Sequence, residues 1–502
     1  MSPASTPTPA LDFAIAQVSE FPERLGPVLI KELRQGLRSG LFVLPFVVLP
    51  AVLGLVAVWA LSIDQVGNAR SGVEGFFWVA VIVPVLIITP LRSLGAIRSE
   101  REAQTLDLLT LTPLSAGRIV LAKWSSLQAQ ALLWVIALLP FFVLRYFFGG
   151  MDLANQALAL LWVVVGGGVF TALGLVVSTM PKLVFWLSLT GIVFLGLIGF
   201  WSLLIAVFSR SAISRIVGTG GGLPSPLAHL LFLLLAGHVI CLALAFAGAR
   251  IAPIADNYAL RLRGGALGLV VWFGLASVIL PAPDQDARWL FLVVASVAAT
   301  IFTTIDLTSA RVPLLTHVRP WARLGPVGML LGRSFMPGWP GAVVFFSAFT
   351  VLGVALTCLS VSPTVDIWAR ALLLWPTVML PRALQCFFAP RSRERPALHL
   401  LLHLAGLLLA AILAAFSFAL GETVIAPAAA FPSALWWLVT FKGVSFDSHI
   451  NSIGIVGGLW TLALSGVFFY HSRAYWATMS RHAATARSSP RSDPGTIPAG
   501  PP

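Results

Sequence analysis

Long apolar stretches separated by short polar ones run through this chain. A helix that crosses the hydrocarbon core of a bilayer takes about 20 mainly apolar residues. Twelve stretches meet that length: residues 41–63, 76–95, 124–147, 156–180, 183–208, 227–248, 266–282, 289–306, 341–362, 367–388, 397–420 and 452–471. Several carry Pro or Gly, as at Pro45, Pro50, Pro84, Pro140 and the run Gly166-Gly167-Gly168. Membrane helices tolerate both, because neighbouring helices repair freed backbone groups and small residues let backbones approach. The pattern predicts an all-α fold, a polytopic transmembrane bundle of about twelve spans.

Composition narrows the class further. Hydrophobic residues make up 58% of the 502 and charged residues 10%, against roughly 25% charged in an ordinary soluble domain. Mean hydropathy is +0.92. A soluble globule could not hide so much apolar surface, whereas a lipid bilayer covers it. The net charge of +13 comes from residues spread between the apolar runs, the pattern of loops and not of a basic nucleic-acid-binding arm. Cys241, Cys358 and Cys386 all lie inside apolar runs, so neither a disulfide framework nor a zinc site is indicated.

Charge also predicts direction. With the N-terminus in the cytoplasm and alternating spans, 25 of the 32 Lys and Arg fall on the cytoplasmic side. That bias supports an N-in, C-in topology. The apolar stretch 424–441, with Pro427, Pro432 and Trp436-Trp437, reads as an outer interfacial or re-entrant segment. Residues 1–19 contain no Lys or Arg, so insertion through the first span is expected in place of a cleaved signal. The expected organisation is a disordered 1–22, a six-span half over 23–250 with a connector at 96–123, a second six-span region over 251–480, and a disordered 481–502.

Two polar elements stand out on the cytoplasmic side. In Arg24–Ser39, Leu29, Leu33 and Leu37 recur on one helical face, and Lys31, Glu32, Arg34, Gln35 and Arg38 form the other. Pro27 suits the first turn. This predicts an amphipathic helix in the membrane interface before the first span, where the plain alternative is a positive anchor that only sets orientation. In Arg98–Lys123, Ser99-Glu100-Arg101-Glu102 fits a capping box, with Ser99 as N-cap and Glu102 reaching back. A short helix is expected to follow to about Thr110, with Leu106 and Leu109 on one face and Asp107 beside them. Pro113 ends it, and Ser115 is placed to cap the helix leading into the third span. Leucines between charges of both signs can dock a soluble partner; the plain alternative is a loop helix packed on the bundle.

Together the two stretches GPVLIKELRQGLRS and SEREAQTLDLLTLTPLSAGRIVLAKW resemble the type-two permease family of ABC transporters, exporter class. Glu100, Arg101, Glu102, Thr105, Leu106, Asp107, Leu108, Leu109, Thr112, Pro113, Leu114 and Ser115 match the family's connector after the second span. The chain departs at Gln104, where the family usually has Gly. The likeness covers about residues 24–130, and the six-span reading extends it to about 250. It implies a transmembrane subunit in a bacterial inner membrane, driven by a separate ATPase that contacts the amphipathic helix and the connector. Glu100, Arg101, Glu102, Thr105, Leu106, Asp107 and Leu109 would form that contact. No GxxxxGK[ST] phosphate loop occurs in the chain, so ATP-driven work has to come from a partner.

Arg24-Leu25-Gly26-Pro27 recurs as Arg323-Leu324-Gly325-Pro326, and Arg98–Glu102 has a weaker echo in Arg391–Arg395. A degenerate repeat, an appended region of separate role, and pairing with a second permease chain all remain open. His399 and His403, four apart, have the spacing of two ligands on one helix, but no Glu or Cys completes a set, and no cofactor is expected. His229 and His238 face opposite sides of their helix. Asp306 could relay protons or pair with Arg311; Gln128, Gln130 and Gln385 could line a path or join helices. No catalytic set of polar residues converges in the sequence. Beside the exporter permease stand two alternatives: a non-transporting scaffold of an ATPase complex, and a polytopic lipid-modifying enzyme.

Overall fold

The computed structural model describes residues 26–61, 66–105, 114–147, 152–180, 226–253, 256–279, 311–360, 365–388 and 450–488, with isolated positions at 307, 309, 398–413 and 432. Among them the chain is helical and has no strand. It divides into two compact units, Met1–Pro253 and Ile254–Pro502.

The first unit opens with α1 (Pro27–Leu37), started by Gly26 in the left-handed region and by Pro27. It leads into α2 (Gly40–Leu61). Leu41, Leu44, Leu55, Val58 and Trp59 of α2 are all more than half exposed. A helix apolar on every side with little of it covered needs lipid around it.

The next run holds α3 (Val66–Ile82), a π turn (Val83–Ile88), α4 (Thr89–Ala96) and α5 (Arg98–Glu102). Pro90 explains the π turn. A proline ring clashes with the carbonyl four residues back, and the wider turn relieves the crowding. The Thr89 N–H and hydroxyl both donate to the Pro84 carbonyl, the hydroxyl at 2.8 Å. Then follow α6 (Ala116–Phe147), α7 (Leu153–Ser178) and α8 (Pro226–Ile251). Phe77, Val81 and Val85 pack on Ala131, Val135, Leu138 and Phe142. Trp134 stacks on Phe42 at 5.3 Å and donates to its carbonyl.

Glycines let α7 lie against the α3–α4 run. A Cβ at Gly167 would sit 2.6 Å from Val85 Cγ1 and 2.9 Å from its carbonyl oxygen. A Cβ at Gly174 would collide with Ser93 Oγ and sit 3.0 Å from the Pro90 carbonyl.

The second unit holds α9 (Ala259–Ile279), α10 (Leu315–Arg323), α11 (Gly325–Phe335), α12 (Trp339–Ser360), α13 (Val365–Phe388) and α14 (Ile450–Ser488). Phe345, Phe346, Phe349, Trp375, Met379, Leu464 and Phe468 build its core. Between α11 and α12 the chain turns through 97°. Arg263 of α9 holds that corner, donating to the carbonyls of Ser334 (2.6 Å), Met336 (2.9 Å) and Gly338 (3.3 Å). Helix ends leave carbonyls unpaired, and a buried guanidinium supplies their donors.

Six described helices are long and apolar enough to cross a membrane, or seven with α11–α12 taken as one broken span. This helix set is that of a membrane protein. Twelve spans and their direction are not established by it. The stretches 183–208 and 289–306, most of 397–420, and 424–441 apart from Pro432 lie outside the described residues, as do residues 1–22.

Two local expectations are corrected. Ser99 is not an N-cap: α5 begins at Arg98 without a side-chain cap of its own. Residues 481–488 are not part of a tail: α14 runs through Ser488, with Met479 and Ala483 buried against Val318 and Ala322 of α10.

Gly167→Val should destabilise the protein by about 1–3 kcal/mol through overpacking. Gly95→Ala, where a Cβ would meet nothing within 4 Å, should be neutral or stabilising by up to about 1 kcal/mol. Thermal unfolding in detergent checks the pair; equal effects would contradict the close approach of α7.

Candidate partner-docking site

Three helices converge on one ammonium. Lys123, early in α6, is 2% exposed. Its Nζ donates to Glu32 Oε1 of α1 at 2.9 Å and to Glu100 Oε1 of α5 at 2.8 Å. An isolated buried ammonium would be strongly unfavourable, and two carboxylates offset its loss of water. Gly36 faces the same helix, since a Cβ there would collide with the Gln130 amide. Ser39 donates to the Gly36 carbonyl at 2.6 Å and accepts from Arg92 at 3.3 Å. The amphipathic helix is thus tied to α6 by charge and close contact, and to α4 through Ser39.

The α5 segment is held from a second direction. Ser178 Oγ, at the end of α7, accepts from the backbone N–H of Ile97 at 2.9 Å and of Arg98 at 3.0 Å. The Arg101 N–H, which a Ser99 cap would serve, donates instead to the Ile97 carbonyl at 3.1 Å. Arg101 in turn donates to the Thr179 carbonyl at 3.1 Å.

A complete reversal then ends α5. Thr105 N–H donates to the Glu100 carbonyl at 2.9 Å and Gln104 N–H to the Arg101 carbonyl at 3.2 Å. That pair is the Schellman arrangement, which needs a left-handed residue. Gln104 supplies it with φ 57°, alone among the described non-glycine residues. Glycine is the residue that most readily fills this place in such a turn. The helix begun at Arg98 therefore ends at Glu102, and the rest of the stretch expected to be helical, 106–110, lies outside the described residues.

The predicted contact residues separate into two groups. Glu100 turns inward to Lys123, and Arg101 is half-buried on α7. Glu102 and Thr105 are exposed, Glu102 pairing with Arg98 at 2.9 Å. Leu106, Asp107 and Leu109 lie outside the described residues. Beside the site, Lys31, Arg34 and Arg38 line an open groove of about 970 Å³ with Pro27, Ile30, Gln35 and Ser39. Sequence reasoning missed Lys123 and Ser178 as organisers. Lys123 stands at the border of an apolar run, as loop cations do, and its partner Glu32 is 91 positions away.

The far end of α6 carries a second ion pair. Arg145 meets Glu74 at 3.2 Å and lies over the Phe77 ring at 4.7 Å. Lys123 and Arg145 are 22 residues apart, about 33 Å of helix at 1.5 Å per residue. That matches a hydrocarbon core of about 30 Å.

Other candidates stay apart from the site. His399 and His403 meet through their Nε2 atoms at 3.3 Å, and no group of three metal-binding side chains occurs among the described residues. Gln130 donates to the Ser126 carbonyl and hydroxyl, and Gln385 accepts from Arg382. His229 accepts from Trp162. Asp306 lies outside the described residues. No protein-family model, curated protein or solved structure matches this chain.

Lys123→Met leaves two carboxylates without their cation and should cost about 3–5 kcal/mol. Glu102→Ala, which removes an exposed pair, should cost about 0.5 kcal/mol or less. Gln104→Gly should gain up to about 1 kcal/mol by relieving the left-handed backbone. Unfolding midpoints of the three variants in one detergent check the order, and a Lys123→Met as mild as Glu102→Ala would contradict it.

Proposed function

We propose that the chain is the membrane-spanning permease subunit of an ATP-binding-cassette exporter, driven by a separate ATPase subunit. In this reading it lies in a bacterial inner membrane with about twelve spans and both termini in the cytoplasm.

The observation that carries the reading is the junction at Lys123. It joins the amphipathic helix, the end of the α3–α5 run and α6 into one body, and leaves the tip at Glu102–Thr105 exposed. A soluble subunit gripping that tip moves a helix end that is fastened to others, and does not merely bend a loop. Closure of an ATPase dimer then becomes rigid-body motion of the bundle. The chain has no phosphate loop of its own, in keeping with a separate motor. The leucines that follow the tip, Leu106 and Leu109, supply the apolar part of the grip, and the charges around them set its register.

Leu106→Asp and Leu109→Asp should each lower co-purification of the ATPase subunit at least tenfold while leaving expression and unfolding midpoint unchanged. Affinity capture from membranes of the source organism, with mass spectrometry of the bound subunits, measures this. Capture of a phosphate-loop ATPase by the parent chain and its loss from both variants is the expected result. Undiminished capture by both variants would overturn the assignment of the connector.

A further inference from the structure

Arg24-Leu25-Gly26-Pro27-Val28 recurs 299 positions later as Arg323-Leu324-Gly325-Pro326-Val327. The backbone repeats with it. Gly26 has φ 75° and Gly325 φ 73°, both in the left-handed region. Each stands at the start of an 11-residue helix, α1 or α11, with proline in the first turn. A 22-residue apolar helix follows each, Gly40–Leu61 and Trp339–Ser360, with both ends 299 positions apart. The next helices begin at Val66 and Val365, again 299 apart. Five consecutive identities alone could be chance in so biased a chain; the matching bounds of the helices that follow lie outside them.

The two interfacial helices differ in the face they present. Lys31 and Glu32 of α1 correspond to Leu330 and Leu331 of α11, so the carboxylate that meets Lys123 has no counterpart. In α1 the exposed positions include Lys31, Arg34 and Gln35. In α11, Val327, Leu330 and Leu331 are 68%, 64% and 55% exposed, and Arg333 is the one charged residue. The inner face of α11 uses Gly328 and Gly332 to sit on Trp321 of α10.

We propose that residues 323–488 are a second copy of the helix order beginning at residue 24, in which the interfacial helix has exchanged its charged docking face for one seated in lipid. The occupant of the α11 face is the headgroup–acyl boundary of the bilayer. Two features select it. The 97° corner lays α11 across a membrane-length helix, in the plane such an interface occupies. Its outer side is continuous in character with α12, where Val351 is 69% exposed, and it offers no ion pair to a soluble surface. One chain therefore presents a single docking face to an ATPase; this last step rests on the exporter reading.

Spin-label accessibility tests the proposal on the full chain in lipid nanodiscs. Single cysteines at positions 31, 34, 327, 330 and 331 are labelled in a chain whose Cys241, Cys358 and Cys386 are replaced by Ser. All five positions are exposed, and two or more report on each helix, so loss of one variant leaves the comparison intact. Collision with oxygen should exceed collision with the water-soluble nickel complex NiEDDA at 327, 330 and 331, with the order reversed at 31 and 34. NiEDDA-dominated collision at 327, 330 and 331 would overturn the lipid seating, whatever the ATPase does. With the ATPase bound, the label at 34 should lose NiEDDA accessibility and that at 330 should keep its values; protection at 330 would overturn the single docking face. Failure to find any ATPase would overturn the exporter reading alone and leave the lipid contrast standing.

Discussion

An ammonium withdrawn from water has to be answered by negative charge, and in this chain the answer comes from two helices at once. Lys123 lies 2.8 Å from Glu100 and 2.9 Å from Glu32. Neither carboxylate belongs to the helix that carries the lysine. The requirement to compensate one buried charge therefore fixes the place of an interfacial helix and of a span's end together. Ser178, the last residue of α7, and Thr179 just beyond it add a neutral second attachment, by accepting from the Ile97 and Arg98 N–H groups and from Arg101. Such a junction holds its parts together because none of them can move without leaving a polar group unpaired in a place with little water.

Away from this junction the first unit is held by shape. Gly167 and Gly174 bring the α7 backbone onto Val85, Pro90 and Ser93. Lipid competes poorly with such contacts because dispersion falls off steeply with distance, and membrane helices lack the hydrophobic drive that soluble cores have. The second unit meets its own constraint with another buried charge: Arg263 fills the corner between α11 and α12 and satisfies three carbonyls. Both units thus place one buried cation beside the start of an apolar helix, although the two cations come from different elements.

Much of the helix content was legible because apolar runs of span length are a strong signal. Leu29, Leu33 and Leu37 marked α1, and Pro27 marked its first turn. What the local pattern could not carry was long-range. Ser99 looked like a cap, yet the Arg101 N–H that such a cap serves donates to the Ile97 carbonyl, and the segment is fixed by Ser178, about 80 positions away, which accepts from Ile97 and Arg98. The stop at Glu102 depended on Gln104 taking φ 57°, a conformation its side chain does not advertise. Lys123 read as a loop cation because nothing near it in sequence names Glu32 as a partner. The end of α14 was misjudged from its polar composition, since burial of Met479 and Ala483 on α10 supplies what local propensity does not.

A double-mutant cycle addresses the Lys123 junction directly. Glu32→Gln, Glu100→Gln and the double variant are compared for unfolding free energy of the full chain in one detergent. If both carboxylates answer the same ammonium, the two losses fail to add by about 1 kcal/mol or more. Losses that add within about 0.3–0.5 kcal/mol would mean two independent sites, and the interfacial helix and the connector would not be fastened to each other.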